Sequence, residues 1–594
     1  MDVCSGVVYK IHQDEHSKYL DNSFKTYATD NDNAIDVPDC WETVPVSRRT
    51  SPATNSGAAL ETIQAWLKEC LSGIDPYCTS PVEARLPTRV IDVRLTDGVV
   101  SLVESRGAVA SYIYLSHCWG LAQIITTTRS TLQDRKAGIL EDALSNTFRD
   151  AIWLTRCLGI PYIWIDSLCI LQDDRRDWEL ESARMSEVYS NSYLTIAATA
   201  SRYGHGGLFR EAPDFPVHGT THDGSEFTLY FRERIDHHLE EIHDPGEVGH
   251  PTLYHYPLLT RAWVYQERML STRVLHFGHH ELFFECRSGV QCECGQIAFH
   301  GSSDAAPAAV TKIPHDDALG SPPPVRDVFI STAAYYVARF WRTMVSSYAY
   351  ACLGLTKPSD RLPAMGGLAK HMAARRKNSA YLAGLWEDAI SDDLLWSVCT
   401  PSTMKKARPY PPTAPTWSWA SVATFVLYSD EILSWDPDGP GAEEPRRPCE
   451  HFARVGGFGD VPGAVDEFGA IKEGRITISG ALATGVLGRE VKEGKDGEEV
   501  IANYVVFGGE PGPGQTLPGS EVSCLRMSRL QVGGTDIHVS LVLRPVVKLG
   551  SGSDKKVVSE RIGTIRINAG LTPAVAESVG LVYGSAAETG VLII

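Results

Sequence analysis

Glu181 is the side chain of this sequence best suited to chemistry. Trp178, Met185 and Tyr189 recur at i, i+7 and i+11, and Glu181 lies three residues after Trp178 and four before Met185, so its carboxylate shares their helical stripe. Glutamates on surface helices point to water. One aimed at a sheet is either paired with a buried cation, for which Arg149, Arg184 and Arg268 are candidates, or kept for reaction chemistry. Beside a glycosidic bond such a carboxylate stabilises a developing oxocarbenium ion, and partial burial tunes its pKa.

A second group follows the apolar run Tyr112-Ile113-Tyr114-Leu115, which ends in Ser116-His117-Cys118-Trp119-Gly120. Ligands of open α/β sheets sit beyond the carboxyl ends of strands, which makes Ser116, His117 and Trp119 candidate binding residues. Side chains alternate along a strand, so Ser116 and Cys118 share one face and His117 and Trp119 the other; they form no Ser-His dyad among themselves. Asp166, at the end of the run Ile160–Ile165, is placed to bind a ribose hydroxyl, to orient an arginine or to cap the next loop. His117 and Cys169, on neighbouring strands, form a candidate Cys-His pair, against the plainer reading of a buried histidine and an inert thiol. Trp178 and Arg268 complete the candidate binding set, with Trp178 also readable as core and Arg268 as a structural tie.

These residues need a sheet to position them. The stretch Ile160–Ile170 is apolar and rich in aromatic and β-branched residues, as expected of a strand buried on both faces. A helix is expected over Glu141–Leu158, ended by Gly159 and Pro161, a second that follows the Asp173-Asp174 loop and carries Trp178, Met185 and Tyr189, and a strand at Tyr193–Ala198. Strand and helix alternate from 112 to 199, which predicts a parallel sheet with helices packed on it. Further expectations are a helix over Ala58–Leu71, a hairpin turning at Asp97-Gly98, a helix over Arg261–Leu270 capped by Thr260, a strand over Val274–Cys286, and helices within 328–398 including Tyr381–Trp386. Ser201–His255 reads as irregular. Its glycines form no phosphate loop.

At 594 residues the chain exceeds one core and divides by size into about two to four domains. The reading is an N-terminal leader with one helix (1–85), an α/β domain (86–275, motif core 110–270), a mainly helical extension (276–435) and a C-terminal β-rich domain (448–594), with Asp436–Arg447 as linker. A net charge of −18 without a basic tract argues against nucleic acid as partner. No secretory signal and no long apolar span are present, so a cytoplasmic chain without a membrane span is expected, its 14 cysteines mostly free thiols. Cys286, Cys292 and Cys294 have no second C-x-x-C partner, so no metal site is expected.

Four ordered blocks resemble the fungal HET (heterokaryon incompatibility) domain: Tyr114–Gly120, Ile165–Asp173, Asp177-Trp178 with Glu181 and Met185, and Arg261–Arg268. Tyr381–Trp386 and Pro415–Ala420 resemble later blocks of the long fungal proteins that carry it. The resemblance implies a cytosolic protein of nonself recognition that triggers growth arrest or programmed cell death, acting with an incompatibility partner protein or by self-association. The core order is also similar to TIR domains, some of which cleave NAD with a glutamate just after a Trp. Glu181 matches that residue, three positions after Trp178 where the TIR pattern has four. The implied fold is a TIR-like parallel sheet flanked by helices. NAD is then a candidate substrate rather than a bound cofactor, and the enzymatic status is open. The alternatives are a non-catalytic signalling or self-association module and a tailoring enzyme of a fungal secondary-metabolite pathway.

Overall fold

A computed structural model describes residues 24–27, 47–72, 78, 83–95, 97–120, 124–220, 224, 226–233, 235, 256–287, 289–296, 298–300, 333–351, 355, 357–376, 378–398, 408–409, 412–428, 450–460, 467–469, 471, 474–486, 490–493, 499–502, 521–532, 535–549, 556–568, 583 and 588–594. The linker Asp436–Arg447 lies outside them, as does most of the leader before Ser47.

Helix α1 (Gly57–Leu71) starts at Ser56, whose hydroxyl accepts the Ala59 N–H, and buries Ile63, Trp66 and Leu67. Strands β1 (Arg89–Asp92), β2 (Val99–Glu104), β3 (Tyr112–Ser116) and β4 (Ile139–Leu140) follow. Helix α2 (Asn146–Cys157) begins later than its pattern suggested, because Ser145 caps it by accepting the Phe148 N–H and leaves 141–143 as a separate 3-10 turn. The strand expected over Ile160–Ile170 is cut to β5 (Tyr162–Trp164), and Asp166–Cys169 coils into one helical turn. Helix α3 (Arg175–Ser190), capped by Asp174, leads into β6 (Leu194–Ala197). Helix α4 (Ala262–Leu270) takes Arg261 rather than Thr260 as cap residue, the Thr260 hydroxyl being turned back to Pro257 O. Strands β7 (Arg273–Phe277), β8 (Leu282–Cys286), β9 (Gly289–Cys292) and β10 (Ala298–His300) complete the sheet.

Its ten strands run in the order β10-β9-β8-β7-β6-β3-β5-β1-β2-β4. Only the central β7, β6, β3 and β5 are mutually parallel, so the sheet is mixed rather than parallel. The reason lies in the connections. Asp97 and Gly98 both adopt left-handed backbone (φ 66° and 71°), and a Cβ on Gly278 would stand 2.8 Å from Glu281 O; such tight turns join antiparallel neighbours only. The region read as irregular contains an antiparallel pair, Phe215–Thr220 with Glu226–Glu233; the first strand is mostly exposed and carries Pro216 and Gly219, while the second is mostly half-buried.

Beyond the sheet come α5 (Ala333–Ala351) and α6 (Pro363–Ala373). The expected helix at Tyr381–Trp386 is a hairpin instead: Tyr381-Leu382 pairs with Leu385-Trp386 across Ala383 (φ 46°) and Gly384 (φ 97°). The indoles of Trp341 and Trp419 both donate to Gly384 O, at 2.9 and 3.0 Å. The C-terminal region is β-rich as expected, and Gly474–Val486 pairs with both Glu588–Ile593 and Glu521–Val532, which closes the sheet on itself. Arg561 reaches from that sheet to the carbonyls of Trp396 and Trp417. One apolar cluster extends from Ala59 to Ile593.

Candidate functional site

β3 and β5 run side by side, Tyr114 opposite Trp164, so the residues that follow them meet at one end of the sheet. Trp119 Nε1 donates to Asp166 Oδ2 at 2.7 Å, and Asp166 Oδ1 accepts the Ser167 N–H. His117 packs edge-on against Phe148 of α2 with Nε2 3.7 Å from Asp166 Oδ1, and that nitrogen makes no hydrogen bond. Burial pushes the His117 pKa down, with Asp166 opposing the shift, which favours a neutral ring at neutral pH. On the other face, Ser116 donates to Glu267 Oε2, and Tyr114 also hydrogen-bonds Glu267. Burial lifts that carboxyl to about 7, in spite of both donors. The alternation expected along β3 therefore holds, and it splits the group in two.

Glu181 is turned inward on α3, only 4% exposed, and lies in the wall of a cavity of about 460 Å³. The same wall holds Arg85, Thr88, Arg106 and Arg184. Burial raises the Glu181 pKa, while the Thr88 hydroxyl and the Arg89 guanidinium hold it back. Arg89 itself pairs with Asp177 and donates to Cys169 O at 2.6 Å.

One comparison bears on this geometry. Residues 112–267 match the family described as heterokaryon incompatibility protein (HET). This stretch is a HET domain. It runs from the first residue of β3 to Glu267 in α4, so Ser116, His117, Asp166, Glu181 and Glu267 all fall within it. The HET domain points to a role in heterokaryon incompatibility. No curated protein and no solved structure matches the chain. Among the described residues no helix is long and apolar enough to cross a membrane.

The HET domain does not bring all expected site residues to one place. His117 and Trp119 meet Asp166 on one face of the strand ends and Ser116 meets Glu267 on the other; none of the four lines the Glu181 cavity. Cys169 is buried with its thiol pushed up to about 12 by desolvation, which leaves no thiolate at neutral pH, and the ring contacts of His117 are to Phe148 and Asp166. Trp178 is 42% exposed, not core, because the inward position of that first helical turn belongs to Asp177, which accepts from Arg89 and from the Leu171 N–H. Arg268 makes a two-toothed ion pair with Glu285 of β8, at 2.7 and 3.0 Å, and stands outside both groups. Arg85, Thr88 and Arg106 were missed. They precede the HET domain and belong to the hairpin region before it, where only folding brings them to Glu181.

Proposed function

We propose that this chain is an effector of fungal heterokaryon incompatibility whose HET domain cleaves a nucleotide glycosidic bond, with NAD as substrate and Glu181 as the residue that stabilises the reacting sugar. The observation that carries the reading is an inward carboxylate beside an arginine-rimmed cavity. Arg85, Arg106 and Arg184 supply cations of the kind a pyrophosphate needs. The ionised Glu181 then faces the ribose as the C1′–N bond breaks. The bonding pair leaves with nicotinamide, the carboxylate offsets the positive charge on C1′, and water adds there and releases its proton. Growth arrest or cell death would follow from loss of the cofactor pool in a cytoplasmic setting.

The test is nicotinamide release from NAD by the purified full chain. Glu181→Gln keeps the side-chain shape and removes the charge; it is expected to slow release by about 100-fold or more. Release equal to the parent's would end the assignment of Glu181. A second reading, a non-catalytic signalling module, is favoured by one feature: Thr88 and Arg89 engage Glu181 in a way that also ties α3 to β1. No release by a folded parent chain would decide for it.

A further inference from the structure

Cys70 and Cys78, near each other in the chain, meet the distant Cys286 beside the sheet. The Sγ atoms of Cys70, at the end of α1, of Cys78, and of Cys286, at the end of β8, all lie within 4.8 Å of one another. Tetrahedral zinc with Zn–S bonds of about 2.3 Å spaces its sulfurs about 3.8 Å apart, so small side-chain movements would seat an ion among them. Thiolate-rich sets select soft or borderline metals over magnesium or calcium.

A second feature of the same place concerns charge. Arg273 is the cross-strand partner of Cys286, is 0% exposed, and has no carboxylate partner among the described residues. Its guanidinium donates instead to Cys70 Sγ at 3.3 Å, to Cys78 O at 3.0 Å and to Tyr193 O at 3.1 Å. A buried cation needs a counter-charge. Three bare thiolates would overshoot it, setting three negative charges against one cation. A divalent ion with three thiolates carries one net negative charge, which matches one arginine.

The geometry points to a zinc site formed by Cys70, Cys78 and Cys286, its fourth tetrahedral position taken by water or another small donor, and Arg273 offsetting its surplus negative charge. Such a site clamps α1 to β8, where Trp66 already stacks on Phe284 with centroids 6.0 Å apart. The sequence reading grouped Cys286 with Cys292 and Cys294. The fold separates them: Cys292 and Cys294 stand together with Glu281, and that cluster serves as the internal control.

The experiment measures bound zinc by elemental analysis of the full chain, purified under reducing conditions without chelator, and the thiolate-to-metal absorption after replacement by cobalt(II). The parent is expected to hold zinc and to show a cobalt band of three-thiolate intensity. Cys70→Ser and Cys286→Ser should each lose most of the zinc, and Cys292→Ser should keep both signals. Where a serine variant fails to fold, the cobalt spectra of the parent and of Cys292→Ser still decide the matter. The site is overturned if the parent binds neither metal, if folded Cys70→Ser and Cys286→Ser retain full zinc, if Cys292→Ser abolishes the band, or if mass spectrometry finds a disulfide among the three.

Discussion

Glu267 sets a pH dependence that can be worked out from its surroundings. Its carboxyl titrates at about 7, against 4.5 for an ordinary glutamate. Between these values the folded chain holds a proton that the unfolded chain has released, so this residue's contribution to stability falls as pH rises through the window and stays low above it. Glu267→Gln keeps an acceptor for Ser116 and removes the titration. Between about pH 5 and about pH 8 the variant should lose less stability than the parent, by on the order of 3 kcal/mol, as read from urea unfolding at both values. The same pH dependence in both proteins would place its source elsewhere. The sequence set Glu181 on a stripe with Trp178, Met185 and Tyr189; Glu181 and Tyr189 are buried as that stripe implied, whereas Trp178 is exposed and Met185 half-buried, the buried face running instead through Ser186 and Val188. The cation was legible in part. Of the three arginines considered, Arg184 shares the cavity wall with Glu181 and favours its charged form, Arg268 is committed to Glu285 and Arg149 lies near Asp142, while a further guanidinium, Arg89, acts on Glu181 from β1. Spacing within one helix cannot announce a partner on a strand folded against it.

At the level of elements, periodicity and caps carried the reading where a helix or strand has one dominant face. The α1 span and the β3–α2–β5–α3–β6 alternation follow from it. It failed where turn chemistry overrides pattern. Tyr381-Leu382-Ala383-Gly384-Leu385-Trp386 has good helix formers, yet the Ala383-Gly384 pair turns the chain into a hairpin. Gly384 is required there twice over. Its φ of 97° suits glycine, and a Cβ would stand 2.4 Å from Trp419 Nε1. Gly384→Ala should cost on the order of 2–4 kcal/mol in denaturant unfolding. A change below about 0.5 kcal/mol, the range of ordinary surface substitutions, would contradict that tightness. The sheet's mixed direction was legible in part, since Asp97-Gly98 already marked a hairpin, whereas the turn at Gly278 inside Val274–Cys286 was read through as continuous strand.

At the scale of the molecule, the C-terminal sheet is tied to the aromatic segment before it. Arg561 is 0% exposed, lies 3.6 Å over the Trp396 ring and donates to the Trp396 and Trp417 carbonyls. Thr416 receives the Arg561 N–H, and the Thr416 N–H donates to Ile594 O. Arg561→Ala should therefore destabilise by on the order of 2–4 kcal/mol, and calorimetry should show 333–428 and the closed sheet melting in one transition. Two separated transitions in the parent would refute that coupling. Gly384 O also takes on a larger role. Both lone pairs of one peptide oxygen are occupied by indoles from two different parts of the chain, so displacing that turn orphans two buried donors at once. One carbonyl thus fastens two remote stretches of the aromatic layer, and its loss is felt by both.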